Sequence, residues 1–242
     1  MNGPSTPDPG ESALGSIDAR VKIVSLLLFI SVVAISVELN VLLLSLLFVL
    51  ALLLFSRVPP KLLVTRFLFS MPFIGFASLS LYLVGSPLSA LAMLIRISTC
   101  VLAVILLSGT TSLLDLIEGL RRLGVPRILL ILVLFTYRYI HLFNDEMRRI
   151  LTARKARGGR KGRHLLDGRF MKSLSTMIGM IIVRAFWRGD RIFDALLVRQ
   201  YKGDIRVRPQ KALSSVDVGF GVFVASVSLI LILGNLGVIW WI

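Results

Sequence analysis

The sequence predicts an all-α integral membrane protein, and three observations carry that prediction. Hydrophobic residues make up 56% of the 242, with a mean hydropathy of +0.85, more apolar than ordinary water-soluble domains. They are gathered into runs of about 15–25 residues, close to the length needed to cross a hydrocarbon core ~30 Å thick. The charge, a formal net of +15, lies almost wholly between those runs, as it does when Lys and Arg hold loops on the cytoplasmic side of a membrane. That placement argues against nucleic-acid binding, which the net charge alone would suggest. Cys100 is the only cysteine, so one chain can form neither an internal disulfide nor a cysteine metal cluster.

Residues 1–17 are polar and rich in Pro and Gly, with no basic residue before Arg20. They lack the charged start of a cleavable leader and predict a disordered tail ahead of a retained first helix. Residues 18–109 read as a four-helix membrane region. Its apolar runs are 21–37 and 41–55, parted by Glu38 and Asn40, then 67–84 and 88–108, parted by Gly85, Ser86 and Pro87. Pro72 and Gly75 are tolerable inside a membrane helix because neighbouring helices satisfy freed backbone groups. Arg96 interrupts the fourth run and is an intramembrane candidate for function, or else a partner for a backbone carbonyl or an acid in the bundle.

Residues 110–211 read as a separate region in three pieces. The first, 110–123, is short and amphipathic, and Gly124-Val125-Pro126 breaks it. The second, 126–157, is apolar all round at first. From Arg138 onward it is two-faced, with Arg138, His141, Asp145, Arg148, Arg149 and Thr152 on one side. Gly158 and Gly159 suit its C-terminal cap. The third, 170–201, sets Arg184, Arg188, Arg191 and Arg199 in one stripe, opposite Gly179, Phe186, Gly189 and Phe193. Two glycines on that apolar face would let another helix come close. A last apolar segment in 212–242 spans from Val218 and ends at Trp240 and Trp241, as at an aromatic interface belt.

Charge fixes the expected topology. With the N-terminus inside, every loop that carries Lys or Arg falls on the cytoplasmic side through Arg127, and both outer turns lack them. Arg148 to Lys211 holds 18 of the 28 Lys and Arg residues against four Asp and no Glu. If 126–143 completed a crossing, this stretch would be external, against the positive-inside tendency. The expectation is five spans with the C-terminus outside, and with 126–157 and 170–201 as long helices held on the cytoplasmic side. Six spans, with 126–143 crossing, is the alternative.

The residues offer no catalytic constellation, no cofactor fingerprint and no phosphate-binding glycine loop ending in Lys-Ser or Lys-Thr. His141 and His164 are the only histidines. His141 stands four residues from Asp145, a spacing that suits a local hydrogen bond better than a metal site, and His164 lies in a basic loop. The sites singled out are Ala156-Arg157-Gly158 and Val198-Arg199-Gln200, each closing a long helix. An arginine there is stabilised by the helix's free carbonyls, and its guanidinium could also enter an acidic groove on a partner through paired charge-assisted hydrogen bonds.

In order along the chain, Asp18-Ala-Arg-Val-Lys22, Leu120-Arg-Arg-Leu-Gly-Val-Pro126, Thr136-Tyr-Arg-Tyr-Ile140, Ala153-Arg-Lys-Ala-Arg-Gly158 and the block Val183 to Tyr201 resemble the transmembrane (T) component of energy-coupling-factor transporters, in its cobalt-type CbiQ branch. Ala19 stands where that family has Pro, and Val198 and Gln200 replace the Ala and Gly of its second Ala-Arg-Gly signature. The resemblance implies a non-enzymatic membrane subunit. Two cytoplasmic ATP-binding cassette ATPases would receive the tips at Arg157 and Arg199, and a separate membrane S component would carry the substrate. The long helices would couple ATPase closure to reorientation of that S component. Cobalt is the substrate the resemblance puts first, with nickel next and vitamins carried by related T components. The site of any transported metal would lie on another chain. A self-sufficient channel or carrier, and a lipid-binding scaffold, are the readings from other classes.

Overall fold

A computed structural model describes residues 17–56, 59–156, 168–201 and 214–235. Eight helices are described: α1 (Ala19–Ile35), α2 (Leu39–Phe55), α3 (Pro60–Val84), α4 (Pro87–Thr110), α5 (Leu113–Arg122), α6 (Arg127–Ala156), α7 (Gly168–Val198) and α8 (Ser215–Asn235). The all-α membrane architecture is as the sequence predicts. The tail 1–16, the loop 157–167 and the segment with Trp240 and Trp241 lie outside the described residues.

Local chemistry sets the helix boundaries. Asp18 caps α1, its carboxylate accepting from the Arg20 amide at 3.0 Å. Ser86 and Ser112 cap α4 and α5 through the amides of Ser89 and Asp115, each satisfying one orphan donor of a first turn. Pro60 and Pro87 occupy first-turn positions, where the missing N–H costs nothing. Pro72 sits inside α3.

The chain forms two units, one from Met1–Gly124 with Val207–Ile242 and one from Val125–Arg206. The first holds α1–α5 and α8. Its core gathers Phe29, Leu42, Val49, Leu106, Val224 and Leu231, with Phe48 set between the rings of Phe29 and Phe223 at 5.4 and 5.8 Å. The helix α5, grouped by sequence with the long pair, packs here instead. The reason is Gly119, where a Cβ would come within 3.1 Å of Ile23 Cδ1 and 3.2 Å of Ala19 Cβ, so a bare backbone lets α5 lie against α1. Gly221 does the same for α8 against Val21, at 3.0 Å. On the periphery α3 packs on α4 and leaves Phe69, Phe73, Phe76 and Val84 outward, as a lipid-facing helix does.

Among the described residues four helical stretches are long and apolar enough to cross a membrane: Leu63–Val84, Pro87–Thr110, Arg127–Ala153 and Ser215–Asn235. The third lies in α6, the helix that the charge pattern was expected to hold short of a crossing. The shorter α1 and α2 have 17 residues each, about 25 Å at 1.5 Å per residue. The second unit contains α6 and α7, which touch near Glu146.

Candidate functional site

The end of α7 places Arg199. The Gln200 amide donates to the Leu197 carbonyl and the Tyr201 amide to the Leu196 carbonyl, both at 3.0 Å. These are the two bonds of a Schellman cap, with Arg199 as the capping residue and Gln200 just past it in left-handed backbone at φ 50°. Val198, Arg199 and Gln200 are all exposed, so the guanidinium is presented at a closed, rigid helix end. Of the first signature, Ala156 is the exposed last residue of α6, while Arg157 and Gly158 lie outside the described residues.

A feature the arginine stripe alone does not reveal is its anchor. Glu146 of α6 takes Arg184 on Oε1 and Arg188 on Oε2, the latter at 3.5 Å. The Glu146 side chain is largely sheltered, whereas the two arginines are half-exposed. The apolar face of α7 is open: Phe186 and Phe193 are 71% and 62% exposed, and a Cβ at Gly179 or Gly189 would meet nothing within 4 Å. Within its unit, α6 does not make the close approach expected at these glycines. His141 stands edge-on to Tyr137, with ring centroids 5.2 Å apart.

Arg96 takes the backbone-carbonyl partner anticipated for it. Its Nη2 donates to the Ser36 carbonyl at the end of α1, where free carbonyls carry partial negative charge.

The second group that sequence reasoning missed lies at the opposite end of the bundle. Lys22 is 3% exposed, with Nζ on the Thr110 carbonyl at 3.3 Å. Asp217 is buried and accepts from the amides of Asp18 and Ser214, both at 2.8 Å. Buried Glu118 holds Arg121 through both oxygens and Arg122 through one, and Arg122 also stands 3.8 Å from Asp18. These groups tie the start of α1 to α5 and α8. The visible signal was Asp18, Arg20 and Lys22 at the mouth of an apolar run, a position where charges must find partners.

Comparison with known proteins gives the context. The profile of the CbiQ family, described as cobalt transport protein, matches residues 10–211. The cobalt transport protein CbiQ of Rhodobacter capsulatus is 32% identical over 129 residues, 53% of this chain and 51% of that protein. The energy-coupling factor transporter transmembrane protein EcfT of Brevibacillus brevis is 30% identical over 159 residues, 61% and 56% of the two chains. The matched region thus spans about half the length of these curated relatives.

Proposed function

This chain belongs to the CbiQ family of cobalt transport proteins, and on that premise we propose that it is the energy-coupling transmembrane subunit of an importer, linking two cytoplasmic ATPases to a substrate-binding membrane partner. The observation that carries the reading is the rigid, exposed helix end at Arg199. The closed cap fixes the backbone from which Arg199 projects, and its guanidinium can match a carboxylate groove bidentately. Arg157, which follows α6 directly in sequence, is the second tip.

Force entering at the tips would pass along α6 and α7, which Glu146 ties together. The open face of Gly179, Phe186, Gly189 and Phe193 is the surface on which the substrate-binding partner would ride. The subunit is a multi-pass membrane protein; N-terminus, α6 and α7 are assigned to the cytoplasmic side by loop charge. The chain is non-catalytic in this reading, and ATP is hydrolysed by the partner subunits. Cobalt is the proposed cargo, from the family's description, with nickel as its chemical neighbour. A vitamin cargo, implied by the resemblance to related T components, is the second reading, decided by which S component binds.

Arg199→Glu and Arg157→Glu test the assignment. Each should lower recovery of the ATPases with the purified complex and abolish metal uptake. Normal complex yield together with normal uptake in both variants refutes it.

A further inference from the structure

Arg66 stands where an arginine needs an anion, and its own helices supply none. It lies about one turn inside the apolar stretch Leu63–Val84 of α3, a depth at which a charged side chain requires a partner. Its described hydrogen bond goes to the neutral hydroxyl of Ser108, near the end of α4, and occupies one of a guanidinium's five donors. No Asp or Glu occurs between Glu38 and Asp115, so α2, α3 and α4 carry Lys61, Arg66 and Arg96 without a single carboxylate. Arg96 is served by the Ser36 carbonyl. The buried acids Asp217 and Glu118 are engaged by Asp18, Ser214, Arg121 and Arg122. Among the described residues Arg66 has neither a carbonyl nor a carboxylate partner.

The surface around Arg66 fits a lipid. Arg66 and Ser108 are both exposed. Phe69, Phe73 and Phe76 follow Arg66 at spacings of three, seven and ten residues, which keep them on one helix face with it, and they are 84%, 76% and 78% exposed. The Arg66–Ser108 and Ser78–Ala90 bonds set α3 antiparallel to α4. Phe69 and exposed Val104, each about one turn further in, therefore stand at one level below the guanidinium. Lys61 is exposed at the start of α3, ahead of the apolar stretch, about 8 Å from Arg66 along the helix axis. The arginine stem can lie on apolar surface while its head reaches up toward the interface. Two cations above an aromatic face complement an anionic headgroup above acyl chains.

We propose that Arg66 and Lys61 hold the phosphate of one anionic phospholipid, whose acyl chains lie along Phe69, Phe73 and Val104. Ser108 fixes the direction of the guanidinium, and the donors that this bond leaves over go to the phosphate oxygens. Lys61 adds a point charge at headgroup level. The lipid supplies the counter-charge that α3 and α4 lack. Its place in the cytoplasmic leaflet rests on the orientation proposed above, whereas the binding does not.

Native mass spectrometry of the full chain in detergent tests this, with phosphatidylglycerol and phosphatidylcholine of identical acyl chains as probes. One phosphatidylglycerol should bind at least about tenfold more tightly than phosphatidylcholine, since only the first brings a net anion to the guanidinium. Arg66→Gln should reduce it to the phosphatidylcholine level, and Lys61→Gln should weaken it about fivefold. Arg149→Gln removes the same charge from an exposed position on α6 and should leave it unchanged. Should Arg66→Gln fail to fold, Lys61→Gln still reads the site, because it alters an exposed side chain at a helix start. Glycerophosphoglycerol, the same headgroup without acyl chains, should not displace the lipid at equal concentration. Three outcomes overturn the proposal: equal affinity for the two lipids; equal loss in the α3 variants and in Arg149→Gln, which makes the attraction one of net charge; and displacement by the tailless headgroup, which makes the site one for a free anion. The readout needs neither ATPase nor transport, so failure of the coupling reading shows separately, in the Arg199 and Arg157 variants.

Discussion

The Tyr201 amide donates to the Leu196 carbonyl at 3.0 Å, a bond reaching back five residues that closes α7 and sets Arg199 at its rim. Such a closure needs a left-handed residue at position 200, and Gln200 adopts φ 50° there. A side chain in that backbone region costs roughly 1–2 kcal/mol, which glycine avoids. Gln200→Gly should therefore firm the cap by about 1 kcal/mol, slowing amide exchange at Gln200 and Tyr201 about fivefold. Gln200→Val should speed it, because β-branching is worse still at positive φ. Gln200 is thus a local energetic cost to the cap. Unchanged exchange in both variants would contradict this.

Glu118 should be the most sensitive polar residue of the membrane bundle. It is buried and accepts three hydrogen bonds from Arg121 and Arg122, so Glu118→Gln removes one negative charge from a largely buried ionic cluster. The expected loss is about 3 kcal/mol, read as a lower unfolding temperature in detergent. Arg121→Ala should cost less, under about 1 kcal/mol, because a third of that side chain reaches solvent and the pair is screened. Equal losses in the two variants would mean that burial of the carboxylate is not what counts.

The contrast between these two sites shows what a sequence makes legible. The long helices were readable to within about three residues where their ends are described, 126 against Arg127 and 201 against Val198, because apolar periodicity and flanking Gly and Pro are local signals. The exposed stripe of Arg184 and Arg188 was readable for the same reason. Its anchor at Glu146 was not, since an acid 38 residues away on another helix leaves no periodic trace. Nor does composition say which small residues meet a neighbour. Gly119 and Gly221 do, at 3.1 and 3.0 Å, whereas Gly179 and Gly189 do not. Whether a glycine is a contact or an open surface depends on tertiary placement.

The Glu146 pairs predict a measurable but small tie between α6 and α7. Both arginines are at least a third exposed, so each pair should contribute about 0.5 kcal/mol. A double-mutant cycle of Glu146→Ala with Arg184→Ala should return that coupling, and the cycle with Arg188→Ala a smaller one, since its contact is 3.5 Å. Raising salt from low to about 1 M should erase both, because exposed charges are then screened beyond ~3 Å. Coupling that survives high salt would assign the contact to packing, with the ions incidental.

The remaining prediction concerns α6, whose stretch Arg127–Ala153 is long and apolar enough to cross a membrane. Length and composition permit a crossing, and the charge that follows opposes it. Residues 157–167 hold Arg157, Arg160, Lys161 and Arg163 against Asp167 alone, and the cost of translocating such a loop grows with each Lys or Arg. A helix with Arg138 near its middle and Asp145, Glu146, Arg148 and Arg149 in its second half would also carry those charges into hydrocarbon if it spanned. Arg163→Cys in a Cys100→Ala background should therefore be inert to an impermeant maleimide outside intact cells and react once the cells are permeabilised. Labelling from outside would establish α6 as a true span and put residue 163 on the outer face, which removes the cytoplasmic docking of the Arg157 tip.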